Sequence, residues 1–142
     1  MTRRTRGSAL IELVILIPIV LLMAVGVAEF GRLMRTSMTL THAVKAGAQY
    51  GAQDAARADD QTGIANVVRA DASPLTLDSV SSARFCRCPD GSAPACNSTC
   101  PAYGPPEVFV RVRARKTHSF LLRYPGLPAT VAVVDTAVMR IQ

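Results

Sequence analysis

The sequence has no tryptophan, three tyrosines and four phenylalanines, so aromatic residues make up only 5% of its 142 positions. That is thin for a core of this size, where aromatic side chains usually supply much of the buried area. Charge is also scarce, at 18%, and with 49% apolar residues this excludes a chain disordered throughout. Histidine occurs twice, as His42 and His118, and neither has a metal-ligand companion three or four residues away. There is no G-x-S-x-G elbow, no phosphate-cradling glycine loop and no sequence repeat. The sequence therefore offers no catalytic residue, no metal site and no cofactor, and an enzyme is not expected.

The apolar residues are concentrated at one end. From Ala9 to Ala28 the chain reads ALIELVILIPIVLLMAVGVA, with Glu12 as its only charge. Twenty helical residues rise about 30 Å, the thickness of a hydrocarbon core. Three readings fit. One is a signal peptide cut after Ala28, giving a soluble secreted domain. Another is a permanent, uncleaved single-pass anchor with a partner-binding domain. The third is a span behind a short leader removed at Gly7. Glu12 bears on the choice, because a carboxylate inside an apolar run costs a few kcal/mol on insertion and such groups tend to be functional.

The net charge of +6 does not point to nucleic acid. Arg3, Arg4 and Arg6 ahead of the apolar run supply half of the excess. The other basic cluster is Arg111, Arg113, Arg115 and Lys116. Its first three members alternate with Val110, Val112 and Ala114, as on one wet strand face or one that meets acidic lipid or a partner. The positive-inside count leaves orientation open, since Arg32, Arg35 and Lys45 follow the span.

The four cysteines, Cys86, Cys88, Cys96 and Cys100, lie close together among Pro89, Gly91, Pro94 and Pro101. An even, clustered set beyond a membrane-directing segment predicts two disulfides in an oxidising compartment. Zinc is the rival, with spacings off the usual knuckle. Three connectivities are open. The nested one, Cys88 with Cys96 inside Cys86 with Cys100, would cross-link one hairpin over residues 86–100. Clustered cysteines and a very short N-terminal flank put the N-terminus inside and the C-terminus outside.

Residues 6–18, RGSALIELVILIP, resemble the start of a type IV prepilin: a short basic leader, Gly7 before the cut, and Glu12 five residues after it. The likeness extends to the TadE-like minor pseudopilins of Tad (Flp) pilus assembly. It is carried by small Ser8 where ordinary type IV pilins usually have Phe, Pro18 within the span, GVAEFGR at 26–32, and AVKAGAQYGA at 43–52. The resemblance implies cleavage after Gly7 by a prepilin peptidase and partners among other pilins, pseudopilins and the pilus assembly platform. It also implies a place in the bacterial inner membrane or an extracellular filament, with a role in assembly, priming or capping. Glu12 would then pair with the new α-amine of Ser8 on an adjacent subunit. Glu29, beside Arg32 and Arg35, is expected to form only a surface pair.

The expected organisation is a leader over 1–7, a membrane and assembly helix over 8–30, its continuation over 31–58, and a small α+β domain over 59–142. Small residues recur at Ala43, Gly47 and Gly51, a stripe that lets another helix or the domain's own sheet approach closely. Gly47, Gly51, Pro18 and Glu12 are the candidate assembly residues. A short helix over 61–70 follows, then strands over 75–85, 107–117 and 130–141, with Tyr124, Pro125, Gly126 and Pro128 in the last loop. The resulting fold class is α+β: one long helix packed on an antiparallel sheet of three or four strands, the pseudopilin-like architecture that the resemblance implies.

Overall fold

The computed structural model describes residues 6–101, 103–122, 126 and 128–141, with side chains described from Leu10 onward. Most of the basic leader, together with Tyr124 and Pro125, lies outside the described residues. The elements run α1 (Arg6–Gly51), α2 (Ala55–Asp59), α3 (Gln61–Asp71), β1 (Ser79–Arg87), β2 (Glu107–Ser119) and β3 (Thr130–Arg140). The sheet has three strands in the order β1-β2-β3, antiparallel throughout. The fold is therefore α+β, a long apolar helix with a three-stranded antiparallel sheet. The chain divides into two compact units, residues 1–34 and 35–142, and α1 contributes to both.

The first unit is the apolar half of α1. Leu10, Ile11, Leu13, Val14 and nearly every large apolar side chain through Phe30 are exposed. A helix apolar on all faces and buried against nothing is built for a non-aqueous surrounding. Pro18 sits inside this helix without breaking it, although its ring removes one backbone hydrogen bond.

In the second unit the last turns of α1 lie on the sheet beside α3. Leu40, Ala43, Val44 and Ala48 of α1 form one buried cluster with Ile64 and Val68 of α3, Ala72 just past its end, and Val110, Val112 and Ala114 of β2. The cluster contains no aromatic residue, so close backbone approach replaces side-chain bulk. Gly47 makes that approach possible: a Cβ there would overlap the Cγ2 of Val68. At Gly51 a Cβ would stand 3.1 Å from both Ile64 Cδ1 and Val110 Cγ2. The small-residue stripe faces the domain's own helix and sheet. Gly47 and Gly51 are thus buried packing positions and not a free assembly face.

The long helix stops earlier than its composition suggests. An uninterrupted helix to Arg57 is expected from the absence of proline, yet α1 ends at Gly51. The reason is local. Asp54 adopts extended backbone and its carboxylate accepts the Arg57 N–H at 2.8 Å, which caps a new helix in place of continuing the old one. Asp60 repeats the device, accepting the Gly63 N–H at 2.8 Å to start α3, while the Tyr50 hydroxyl donates to its other oxygen at 3.2 Å. On β3, Asp135 accepts a hydrogen bond from the Thr41 hydroxyl of α1.

β1 begins later than expected, at Ser79, because Asp78 acts as a clamp ahead of it. Its N–H donates to the Arg115 carbonyl at 2.9 Å and its carboxylate accepts the Thr117 N–H at 2.6 Å. Hydrogen bonding from Thr117, followed by the charges of Lys116 and Arg115, holds this carboxyl below its ordinary value. Its contribution to stability is present above the unfolded-state value and fades as pH falls through the folded one.

The cysteine segment departs most from expectation. The bridges are Cys86–Cys96 and Cys88–Cys100, an interlaced pairing and not the nested one that would cross-link a hairpin. Nor do residues 86–100 form a hairpin. β1 ends at Arg87, Gly91 turns back on Cys88 with a positive φ of 87°, and the Asp90 carboxylate accepts from the Ser92 N–H. These local bonds consume the backbone groups that a second strand would need.

Two outcomes follow from this packing. Gly47→Ala should destabilise the second unit by about 1–3 kcal/mol despite alanine's better helix propensity, since α3 must shift to admit the methyl group. Gly51→Ala, with tenths of an ångström to recover, should cost clearly less. Denaturant melts of the full chain in detergent compare the two. For the bridges, thiol alkylation and mass spectrometry should find no free thiol in a Cys86→Ala, Cys96→Ala variant. A Cys86→Ala, Cys100→Ala variant, which removes one partner of each bridge, should show two.

Candidate functional site

The expected processing residues stand at the very start of α1. Gly7 and Ser8 are helical, so the Gly7–Ser8 bond lies in the opening turn. The first N–H groups of a helix have no intrahelical partner, and this turn opens more cheaply than any interior one. Ser8 and Glu12 are four residues apart, one helical turn, which sets the amine of a cleaved chain and this carboxylate on one side of the helix. Glu12 is exposed in the middle of exposed leucine, isoleucine and valine. In a medium without water such a carboxylate demands a cationic or hydrogen-bonding partner.

Pro18 follows six residues later on the same helix. Gly47 and Gly51, by contrast, belong to the core of the second unit. The structure therefore brings Gly7, Ser8, Glu12 and Pro18 together on one helical segment and leaves the two glycines apart from them.

Glu29 differs from its expected role as a surface pair. Its side chain is 8% exposed, with Arg32 Nη1 at 3.4 Å. A buried carboxylate held by a half-exposed guanidinium one turn away is a structural group, costly to leave without that cation.

The rest of the chain presents little reactive chemistry. The four cysteines are consumed in disulfides, and among the described residues no group of three or more His, Cys, Asp or Glu could hold a metal ion. His42 is exposed, while His118 is buried at the end of β2, edge-on to the Phe120 ring at 5.6 Å. A cleft of about 750 Å³ near the disulfide segment is lined by Arg84, Cys96, Asn97, Glu107 and Arg140, a site that sequence reasoning missed. Its arginines already hold carboxylates, Arg84 with Asp59 at 2.9 Å and Arg140 with Glu107 at 2.8 Å. No linear motif marks this cleft, because it gathers residues from four parts of the chain.

The helix of residues 10–51 is long and apolar enough to cross a membrane, which makes it a membrane-anchor candidate. Residues 7–57 match the family model described as TadE-like protein. The match begins at the glycine before the expected cut and ends in α2, so it covers the whole of the segment that carries Gly7, Ser8, Glu12 and Pro18. No curated protein and no solved structure matches the chain.

Proposed function

We propose that this chain, whose residues 7–57 match the TadE-like family model, is a TadE-like minor pseudopilin of the Tad pilus system that acts in assembling, priming or capping the pilus or a related secretion filament. The observation that carries the reading is the combination of an exposed, all-round apolar helix with one carboxylate, Glu12, inside the matched stretch. A packed soluble domain has no use for such a helix. A filament grown out of a membrane does, because each subunit must leave lipid for a bundle of similar helices.

In this reading residues 1–7 are a leader held at the cytoplasmic face by its arginines. A prepilin peptidase cuts after Gly7, residues 8–30 span the inner membrane, and the disulfide-bearing domain lies on the oxidising side. Partners are other pilins or pseudopilins and the assembly platform. Cleavage creates the α-amine of Ser8, and in a low-dielectric helix bundle this amine and the Glu12 carboxylate of a neighbour satisfy one another. Each ion alone is costly there, so the pair favours the registered, fully inserted subunit.

Two measurements test this. Mass spectrometry of the protein extracted from its native membrane should give a chain starting at Ser8. A start at Met1 or Thr2 would replace the reading with an uncleaved anchor, and a start at Glu29 with a secreted domain. Second, Glu12→Gln should leave insertion and cleavage intact but lower recovery of co-purifying pilin-like partners about tenfold or more, the effect of at least about 1.4 kcal/mol. Equal recovery with Glu12→Leu would remove Glu12 from the assembly mechanism.

A further inference from the structure

Among the described residues, the three-stranded sheet is covered on one side only. Val110, Val112 and Ala114 of β2 face α1 and α3, and the alternate residues Arg111, Arg113 and Arg115 emerge on the other side, all exposed. We infer that this outer sheet face is a docking surface for an acidic polypeptide, whose carboxylates are held by Arg111, Arg113 and Arg115 while apolar side chains between them cover Val134 and Val138. This goes beyond the N-terminal reading and does not rest on it.

The register supplies the argument. Arg111 stands between Ala83 of β1 and Val138 of β3, Arg113 between Ser81 and Thr136, and Arg115 between Ser79 and Val134. None of these cross-strand neighbours is a carboxylate; Asp78 lies near Arg115 at one end of the row, so Arg111 and Arg113 above all face only small or apolar residues directly opposite them. Alternate residues on a strand are about 7 Å apart, so the row extends over about 14 Å. At the end of the same sheet Arg140 does have a carboxylate, Glu107 Oε1 at 2.8 Å, which shows the pairing that a guanidinium takes here when an acid is within reach. A row of like charges repels itself unless a partner supplies the opposite sign.

The neighbours decide which anion fits. Val134 and Val138 are 41% and 48% exposed and share cross-strand positions with Arg115 and Arg111. A partner must therefore satisfy a guanidinium and cover an isopropyl group within one strand spacing. Arginine beside exposed apolar side chains is the composition of protein interfaces. A polypeptide that alternates carboxylate and apolar side chains meets both needs; a phosphate surface meets only the first. Single-stranded nucleic acid needs open ring faces to stack its bases. Here Phe85 and Phe109 stack on each other at 5.5 Å, and the Arg111 guanidinium covers Phe85 at 4.6 Å from its centroid, so that platform is occupied.

The test uses the full chain in nanodiscs of neutral phosphatidylcholine and a fluorescent twelve-residue peptide of alternating Glu and Val. Anisotropy should report saturable binding that weakens as salt is raised from low to moderate concentration, since exposed ion pairs are screened. The R111Q/R113Q/R115Q variant should bind at least tenfold more weakly, and a Gln-Val peptide should bind the unaltered protein at least tenfold more weakly than the Glu-Val one. Arg69→Gln, on α3, should bind like the parent. If the triple variant misfolds by circular dichroism, Arg113→Gln alone should still lose several-fold. Binding that is absent, or unchanged by these substitutions, overturns the inference. So does tighter binding of a fifteen-nucleotide oligothymidylate or of phosphatidylglycerol vesicles than of the peptide, which would assign the face to nucleic acid or lipid.

Discussion

Contact between the backbone of α1 at Gly47 and the side chain of Val68 is the constraint on which the second unit depends. The unit's central cluster is built from Leu, Ile, Val and Ala, with Tyr50 packed only at its margin. Each buried aliphatic side chain is worth roughly 1.5–3 kcal/mol only where its neighbours touch it on every side. Removing the Cβ at two successive turns of α1 lets α3 and β2 close onto the helix, so Ile64, Val68, Val110 and Val112 are fully enclosed. Tyr50 and the Asp60 cap then fix where α3 starts, and the sheet inherits its position from α3 and α1 together.

The same economy of bulk explains the one-sided sheet. α1 and α3 suffice to cover the inner faces of three strands, and among the described residues no further element covers the outer ones. β2 answers with an alternation of apolar and arginine residues that is strict from Val110 to Arg115. Solubility of that face is secured by charge, and charge in excess of its local counterparts is also a capacity for recognition. The apolar half of α1 shows the opposite solution, in which a single carboxylate interrupts an otherwise uniform surface.

Much of this architecture is legible in the amino-acid sequence. Alternation places β2 and β3 within two residues of their observed ends, and the apolar run with Glu12 and Pro18 marks the segment that the family match covers. Pattern misleads where short polar side chains compete for backbone groups. Asp54 ends the long helix early and caps a separate one, and Asp90 turns an expected hairpin into a compact loop, because a carboxylate that caps a nearby N–H leaves no mark on hydrophobic periodicity. Disulfide connectivity is likewise beyond pattern reading, since it depends on how the loop folds back and not on spacing. The burial of Glu29 escapes notice for a related reason: a charged residue close to arginines reads as solvated whichever way its helix face turns.

The interlaced bridges have a topological consequence for the domain that carries them. Cys86–Cys96 and Cys88–Cys100 overlap in sequence, so each bridge straddles one end of the other. A protease that severs any one peptide bond between Cys86 and Cys100 therefore leaves the two pieces covalently joined. A nested pair would share this protection, but two successive, non-overlapping bridges would leave the stretch between them open to complete scission. Most of this segment is exposed and rich in the small polar residues at which nicking concentrates. Its covalent continuity is thus insured at the place where the chain is easiest to cut.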